Sequence, residues 1–225
     1  MIHKRRLQDE TRGIGMTSSG TRDRLLERLR SHGIKDERVL RAMSQVPRHE
    51  FVDEALSSRA YEDTALPIGQ SQTISQPWIV ARMTEALLEG GAPQRVLEVG
   101  TGSGYQAAVL SQLVKEVYTV ERIKELLKLA RRRFHAQRLH NIHTRYADGH
   151  LGWPSQAPFD AIMVTAASRV VPDELLAQLG EEGVLVVPLE RGGQQRLVSI
   201  RKTGDDLQET DLGGVVFVPM LSGLD

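Results

Sequence analysis

The stretch VLEVGTGSGYQAAVL, residues 96–110, constrains this chain more than any other. A short apolar run carrying Glu98 leads straight into Gly100, Gly102 and Gly104, and an alanine-containing helical pattern follows. That order predicts a buried strand, a tight loop and a helix start. Glycines at alternate positions let the backbone take positive φ and let another group approach where a Cβ would collide. The helix beyond them presents N–H groups at its positive end. Such a cradle suits an adenine-bearing cofactor. A dinucleotide site wants G-x-G-x-x-G, which brings a pyrophosphate onto the helix N-terminus. Here the spacing is G-x-G-x-G and an acid, Glu98, stands just ahead of the first glycine. An acid there would repel a pyrophosphate and favour a cationic ligand. The reading moves away from a nicotinamide dinucleotide and toward S-adenosylmethionine, which carries a sulfonium and an ammonium group.

From residue 95 onward the pattern of strand, turn and helix repeats. Strand candidates fall at 96–99, 116–121, 142–146, 161–165, 184–188, 197–201 and 215–218, and helices at 105–113, 123–138 and 172–179. This alternation implies an α/β, Rossmann-like fold with a mostly parallel seven-stranded sheet and helices on both faces. The last two candidates are joined by the polar stretch 202–214 and should pair antiparallel. Ahead of the core, residues 1–20 read as a disordered leader, with Met16 as an alternative start. Thr21 is a candidate N-cap for a helix carrying Leu25, Leu26 and Leu29, which Gly33 ends. A second helix fits at 36–43, and a third at 77–88; between them, 63–77 reads as a long ordered loop. The expected organisation is a leader at 1–20, a helical and loop region at 21–92, and a cofactor-binding core at 93–225, forming one globular unit.

Composition excludes several classes. Among 225 residues, 29 Lys and Arg balance 29 Asp and Glu, and no basic block could track a phosphate backbone. Nucleic acid is therefore not the expected partner. There is no apolar run of about 18 residues to span a membrane, and the first residues lack the apolar stretch of a secretory signal. A cytoplasmic protein is expected. The chain has no cysteine, which removes thiolate chemistry and disulfides, and its 7 histidines form no H-E-x-x-H pattern, so no metal is expected.

In such a sheet ligands bind at the carboxyl ends of the strands. Glu121 closes the second core strand, where an acid commonly accepts ribose hydroxyls, although that alone does not separate the two cofactors. Asp148 and Gly149 follow the third strand. They either meet an adenine amine or form a plain Asp-Gly turn.

The segments EVGTGSGYQAAVL, TVER, Asp148-Gly149, PFDAIMVTAA and GVLVVPL resemble the successive motifs of class I methyltransferases. More narrowly, VPRHEFV, AYEDTALPIGQSQTISQPWIVARMTEAL and VVFVPM resemble the protein-L-isoaspartate O-methyltransferase family, over residues 21–224. The resemblance implies methyl transfer from S-adenosylmethionine, leaving S-adenosylhomocysteine, to the free α-carboxylate of isoaspartyl residues in damaged proteins. The ester then closes to a succinimide that can reopen to aspartate, so the activity is protein repair. It assigns the cofactor to Glu98, Gly100, Thr101, Gly102, Ser103, Gly104, Glu121, Asp148 and Gly149. It assigns the peptide groove to Pro67, Ile68, Gly69, Ile74 and Val218, for which simple packing is an equal reading. Ser75 matches the family's active-site serine and would hold the acceptor carboxylate, or else cap the following helix. Isoaspartyl proteins would be the substrates of a monomer with no nucleic-acid or membrane partner. A carboxylate is already ionised at neutral pH, so no strong base is needed. The alternatives are a methyltransferase acting on nucleic acid or another small acceptor, and a module that binds S-adenosylmethionine without turnover. Against the first, VTAAS ends the fourth strand instead of an Asn-Pro-Pro-Tyr sequence, and aromatics make up 4% of the chain.

Overall fold

The sequence pattern builds two layers of unequal weight around one sheet. A computed structural model describes residues 15–204 and 206–225. The first described turn is a 3-10 turn at Gly15–Thr17, and helix α1 then runs over Ser19–Ser31 with Ser18 at the N-cap. Residues 15–20 are therefore folded, and Thr21 lies inside the helix, buried, its hydroxyl bonded toward Gly15. Positions 1–14 of the expected leader lie outside the described residues. Gly33 ends α1 as the pattern predicts: its φ is +96°, and the Ile34 N–H donates back to the Leu29 carbonyl at 3.1 Å. Helix α2 spans Glu37–Gln45, capped by Asp36, whose carboxylate accepts from the Arg38 N–H.

The stretch read as a long loop contains a small hairpin, β1 (Leu66–Gly69) paired antiparallel with β2 (Gln72–Ile74). Gln70 and Ser71 both hold positive φ, 53° and 56°, which is the backbone of a tight primed turn. Leu66 and Ile74 face each other and are buried, so two apolar anchors suffice to order a polar segment. Helix α3 (Pro77–Leu88) follows directly.

The core then proceeds as β3 (Arg95–Val99), α4 (Tyr105–Leu110), β4 (Glu116–Glu121), α5 (Lys124–Ala136), β5 (Ile142–Tyr146), β6 (Phe159–Val164), α6 (Asp173–Ala177), β7 (Leu179–Arg191), β8 (Gln194–Thr203) and β9 (Asp206–Val215). Spatially the strands lie in the order β5, β4, β3, β6, β7, β8, β9. The first five are parallel, and β8 and β9 continue antiparallel from β7. Alternate residues serve opposite faces. Val96, Ala161, Met163, Val184 and Val186 pack with α1 to α5, whereas Leu97, Val99, Ile162, Val164, Leu185 and Val187 pack with α6 and the turn carrying Trp153. Helices cover both faces, but one face takes nearly all of them.

The strands depart most from the sequence pattern at β9 and at the start of β7. The last strand is Asp206–Val215, not 215–218; most of the polar stretch taken for a connector is strand. As the sheet edge it buries no residue, so it carries no apolar signal. Strand β7 begins at Leu179, five residues earlier than expected, because Glu182 at φ 57° and Gly183 interrupt the hydrophobic run without ending the strand.

Leu97 lies at 0% exposure in the middle of β3, between β4 and β6. Leu97→Ala is expected to cost about 2–5 kcal/mol, read as a lower denaturant midpoint at unchanged slope.

Candidate functional site

A cleft of about 880 Å³, counted to its open mouth, lies over the carboxyl ends of β3, β4 and β6. It sits at the switch point, where β3 pairs with β4 on one side and β6 on the other. Its floor is Val99 to Ser103 with Val120 and Glu121; β2 and Ser75 close one side and residues 218–221 the other.

The glycines of the loop answer first to the protein. A Cβ at Gly100 would lie 2.4 Å from the Thr165 hydroxyl, which donates to the Gly100 and Val99 carbonyls. At Gly104 φ is +89°, and a Cβ would come within 2.7 Å of the Phe134 ring on α5. Gly104 therefore lets α5 pack against the loop, while Gly100, Thr101, Gly102 and Ser103 form the wall of the cleft.

Glu121 is the acid that faces the cleft. Its Oε2 accepts from the Gly102 N–H at 2.8 Å and its Oε1 from the Ile123 N–H at 2.9 Å. One carboxylate thus joins the end of β4 to the glycine loop and keeps lone pairs for further donors. Glu98 does not face the cleft. Its side chain is sealed beneath the loop at 0% exposure, with Oε2 accepting from the Thr119 hydroxyl and Oε1 without a partner. Burial pushes its pKa up to about 8, and the Glu121 charge adds to the rise, although the Thr119 bond opposes it. At neutral pH the group is largely uncharged, so the charge argument that singled it out is corrected: it supports the loop through Thr119 and Thr101, whose hydroxyls lie 2.6 Å apart.

Asp148 is also used internally. Its Oδ1 accepts from the His150 N–H at 2.9 Å and its Oδ2 from the Gly223 N–H at 2.6 Å. Burial alone would raise its pKa, but these N–H groups and the His150 ring outweigh it and hold the carboxyl below its ordinary range. It ties the C-terminal segment over the end of β5, while Gly149 beside it does line the cleft.

On the other side, Ile74, Ser75 and Val218 line the cleft, but Pro67 and Gly69 are exposed to solvent and do not. Strand β2, through Gln72, Thr73 and Ile74, faces inward, and from β1 Ile68 reaches over the loop toward Gly102. The capping alternative for Ser75 is not seen: the N-cap of α3 is Gln76, with no side-chain cap bond. Sequence reasoning passed over Thr165, Gln106 and Arg122, all on the wall. Thr165, one residue past β6 and level with the glycine loop, was detectable from its place at a strand end; the others depend on tertiary packing.

A protein-family profile described as protein-L-isoaspartate(D-aspartate) O-methyltransferase matches residues 20–225. The chain is 60% identical over 211 residues to the protein-L-isoaspartate O-methyltransferase of Halorhodospira halophila, covering 94% of this chain and 96% of that one. It is 58% identical over 225 residues to the same-named protein of Stenotrophomonas maltophilia, covering 100% and 99%. A solved protein-L-isoaspartate O-methyltransferase superposes with a TM-score of 0.82 at 29% identity, over 90% of this chain and 67% of that one. A Plasmodium falciparum protein described as a beta-aspartate methyltransferase, in complex with S-adenosyl-L-homocysteine, superposes at 0.75 and 27%, over 88% and 96%.

Glu98 sets a pH dependence. The unfolded chain releases this proton near 4.5 and the folded chain keeps it to about 8, so raising the pH through that window favours unfolding. Glu98→Gln should remove a slope of up to about 1.4 kcal/mol per pH unit. Denaturant curves at acid, neutral and mildly alkaline pH test this; equal pH dependence of the two proteins would refute it.

Proposed function

The chain belongs to the protein-L-isoaspartate(D-aspartate) O-methyltransferase family, S-adenosylmethionine-dependent enzymes of protein repair, and from that premise we propose how its cleft divides the work. The loop from Gly100 to Ser103, with Glu121 and Gly149, holds the methyl donor. Ser75, with Ile74 and Val218, receives the isoaspartyl α-carboxylate. The observation that carries this division is Ser75, which lines the cleft and whose hydroxyl, among the described residues, makes no hydrogen bond to the protein.

S-adenosylmethionine, when bound, supplies a methyl group on a positively charged sulfur that leaves as a neutral thioether. The fit rests on the chain's own atoms. Glu121 has lone pairs left to accept ribose hydroxyls, and its two backbone bonds pre-set its rotamer. Apolar neighbours Val99, Val120 and Ile123 offer a surface for an adenine ring. The acceptor is already an anion, so the Ser75 hydroxyl need not remove a proton; it donates one hydrogen bond and orients an oxygen. Holding the reactants in line is then most of the catalysis. The reading extends to a monomer at work in the cytoplasm on damaged proteins. Among the described residues no helix is long and apolar enough to cross a membrane.

Two peptides differing only in aspartyl or isoaspartyl linkage, offered with labelled S-adenosylmethionine, should show base-labile methyl incorporation into the isoaspartyl peptide alone. Equal labelling of both would overturn the reading. Ser75→Ala is expected to lower kcat roughly tenfold or more, the loss of one hydrogen bond to a charged group, with S-adenosyl-L-homocysteine affinity retained. Glu121→Ala should do the opposite, weakening that affinity by roughly tenfold or more in calorimetric titration.

A further inference from the structure

The segment VPRHEFV lies behind the cleft wall and holds a buried cation that has no ion-pair partner among the described residues. Arg48 opens the 3-10 turn Arg48–Phe51 and is at 0% exposure. Its Nε donates to the Ala60 carbonyl and its Nη2 to the Ser75 carbonyl, each at 2.8 Å. The guanidinium carbon lies 4.9 Å from the centre of the Tyr105 ring, and Tyr105 lines the cleft together with Ser75. Nη1 has no hydrogen-bond partner. Burial pushes the pKa down to about 10, and the facing groups Tyr105, Tyr61 and Asp63 offset it in part. Arg48 is therefore charged at neutral pH. Asp63 does not neutralise it by contact: its Oδ1 accepts from the Trp78 N–H at 2.9 Å, and its Oδ2 lies 4.0 Å from His32.

A buried charge without a carboxylate costs stability that an apolar side chain of the same volume would not. At Arg48 two carbonyl hydrogen bonds and the Tyr105 ring offset part of that cost, with no carboxylate in contact among the described residues. What the position does have is Ser75 on one side, Tyr105 under the plane, and a cleft just beyond both. On the reading of that cleft as a carboxylate-methylating site, we propose that Arg48 is a positioning residue for the acceptor. It braces the Ser75 peptide group and sets an unneutralised positive charge behind the point where the isoaspartyl carboxylate is held.

The brace is mechanical. Ser75 stands between Ile74, anchored in β2, and Pro77 at the start of α3, and the Arg48 bond to its carbonyl removes the remaining freedom of that peptide plane. The charge adds selectivity. An ionised carboxylate is drawn toward it across a medium of low dielectric, and the uncharged ester formed by the reaction is not. The same residue would thus favour entry of the acceptor and departure of the product, with no bond made or broken to Arg48 itself.

Arg48→Met and Arg48→Lys separate the two effects. The readouts are S-adenosyl-L-homocysteine affinity, kcat and KM on an isoaspartyl peptide, and the binding preference of the S-adenosyl-L-homocysteine-loaded protein for that peptide over its neutral α-carboxamide analogue. In Arg48→Met, S-adenosyl-L-homocysteine affinity should hold while kcat and the preference for carboxylate each fall roughly tenfold or more. Arg48→Lys keeps the charge but cannot reach both carbonyls, so its preference should stay close to that of the wild type while kcat still falls. An undiminished carboxylate preference in Arg48→Met overturns the inference. So does a loss of S-adenosyl-L-homocysteine affinity in step with activity in both variants, which would make Arg48 a support of the fold alone. A wild-type chain inactive on the isoaspartyl peptide would instead remove the functional reading on which the inference rests.

Discussion

Parallel pairing of β3 with β4 on one side and β6 on the other is the constraint from which the rest follows. Each parallel neighbour needs a crossover, and the two crossovers leave the same sheet edge in opposite directions. A crevice opens between them above the end of β3. The glycine loop can turn there because Gly100 tucks beneath Thr165 and Gly104 beneath Phe134, contacts that a Cβ would block. Glu121 then fastens the loop to the end of β4 through the Gly102 N–H. Thus the floor of the cleft is fastened by the protein's own contacts and hydrogen bonds, which suits reaction by placement instead of by proton transfer.

Two buried ionisable groups lie just outside that floor, and they are handled differently. Glu98 keeps its proton to about pH 8, the response expected of an acid cut off from water with only a hydroxyl to bond. Arg48 keeps its charge, because even after burial lowers its pKa to about 10 the group remains far from titrating at neutral pH. The protein therefore presents a nearly neutral underside to the donor loop and a positive backing to Ser75. A cationic donor beside Glu121 and an anionic acceptor in front of Arg48 are then matched in charge.

Much of this arrangement was legible in the residues. The glycine spacing located the loop, period-two apolar runs located the central strands, and Glu121 stood at a strand end where a carboxylate faces the cleft. Illegible parts share a cause: their residues carry no local signal because their partners are distant in the chain. β9 is an edge strand that buries nothing, so its polar sequence resembles a connector. The β1–β2 hairpin is ordered by one pair of apolar anchors and a turn of two non-glycine residues at positive φ. Asp148 looked like a ligand for the cofactor, yet a glycine 75 residues away takes its carboxylate.

The amino-acid sequence by itself determined the sheet, the loop that interrupts it and the family, because periodicity, glycine placement and contiguous motifs are local properties. It also offered Ser75, within ALPIGQSQTISQP, as the residue to meet the acceptor. Tertiary structure alone decided which acids are charged and which face the cleft. Glu98 and Glu121 lie on adjacent parallel strands and differ in role because one points under the loop and the other out along its rim. Charge state depends on how much water and how many donors surround a group, and those neighbours are assembled only when distant segments pack.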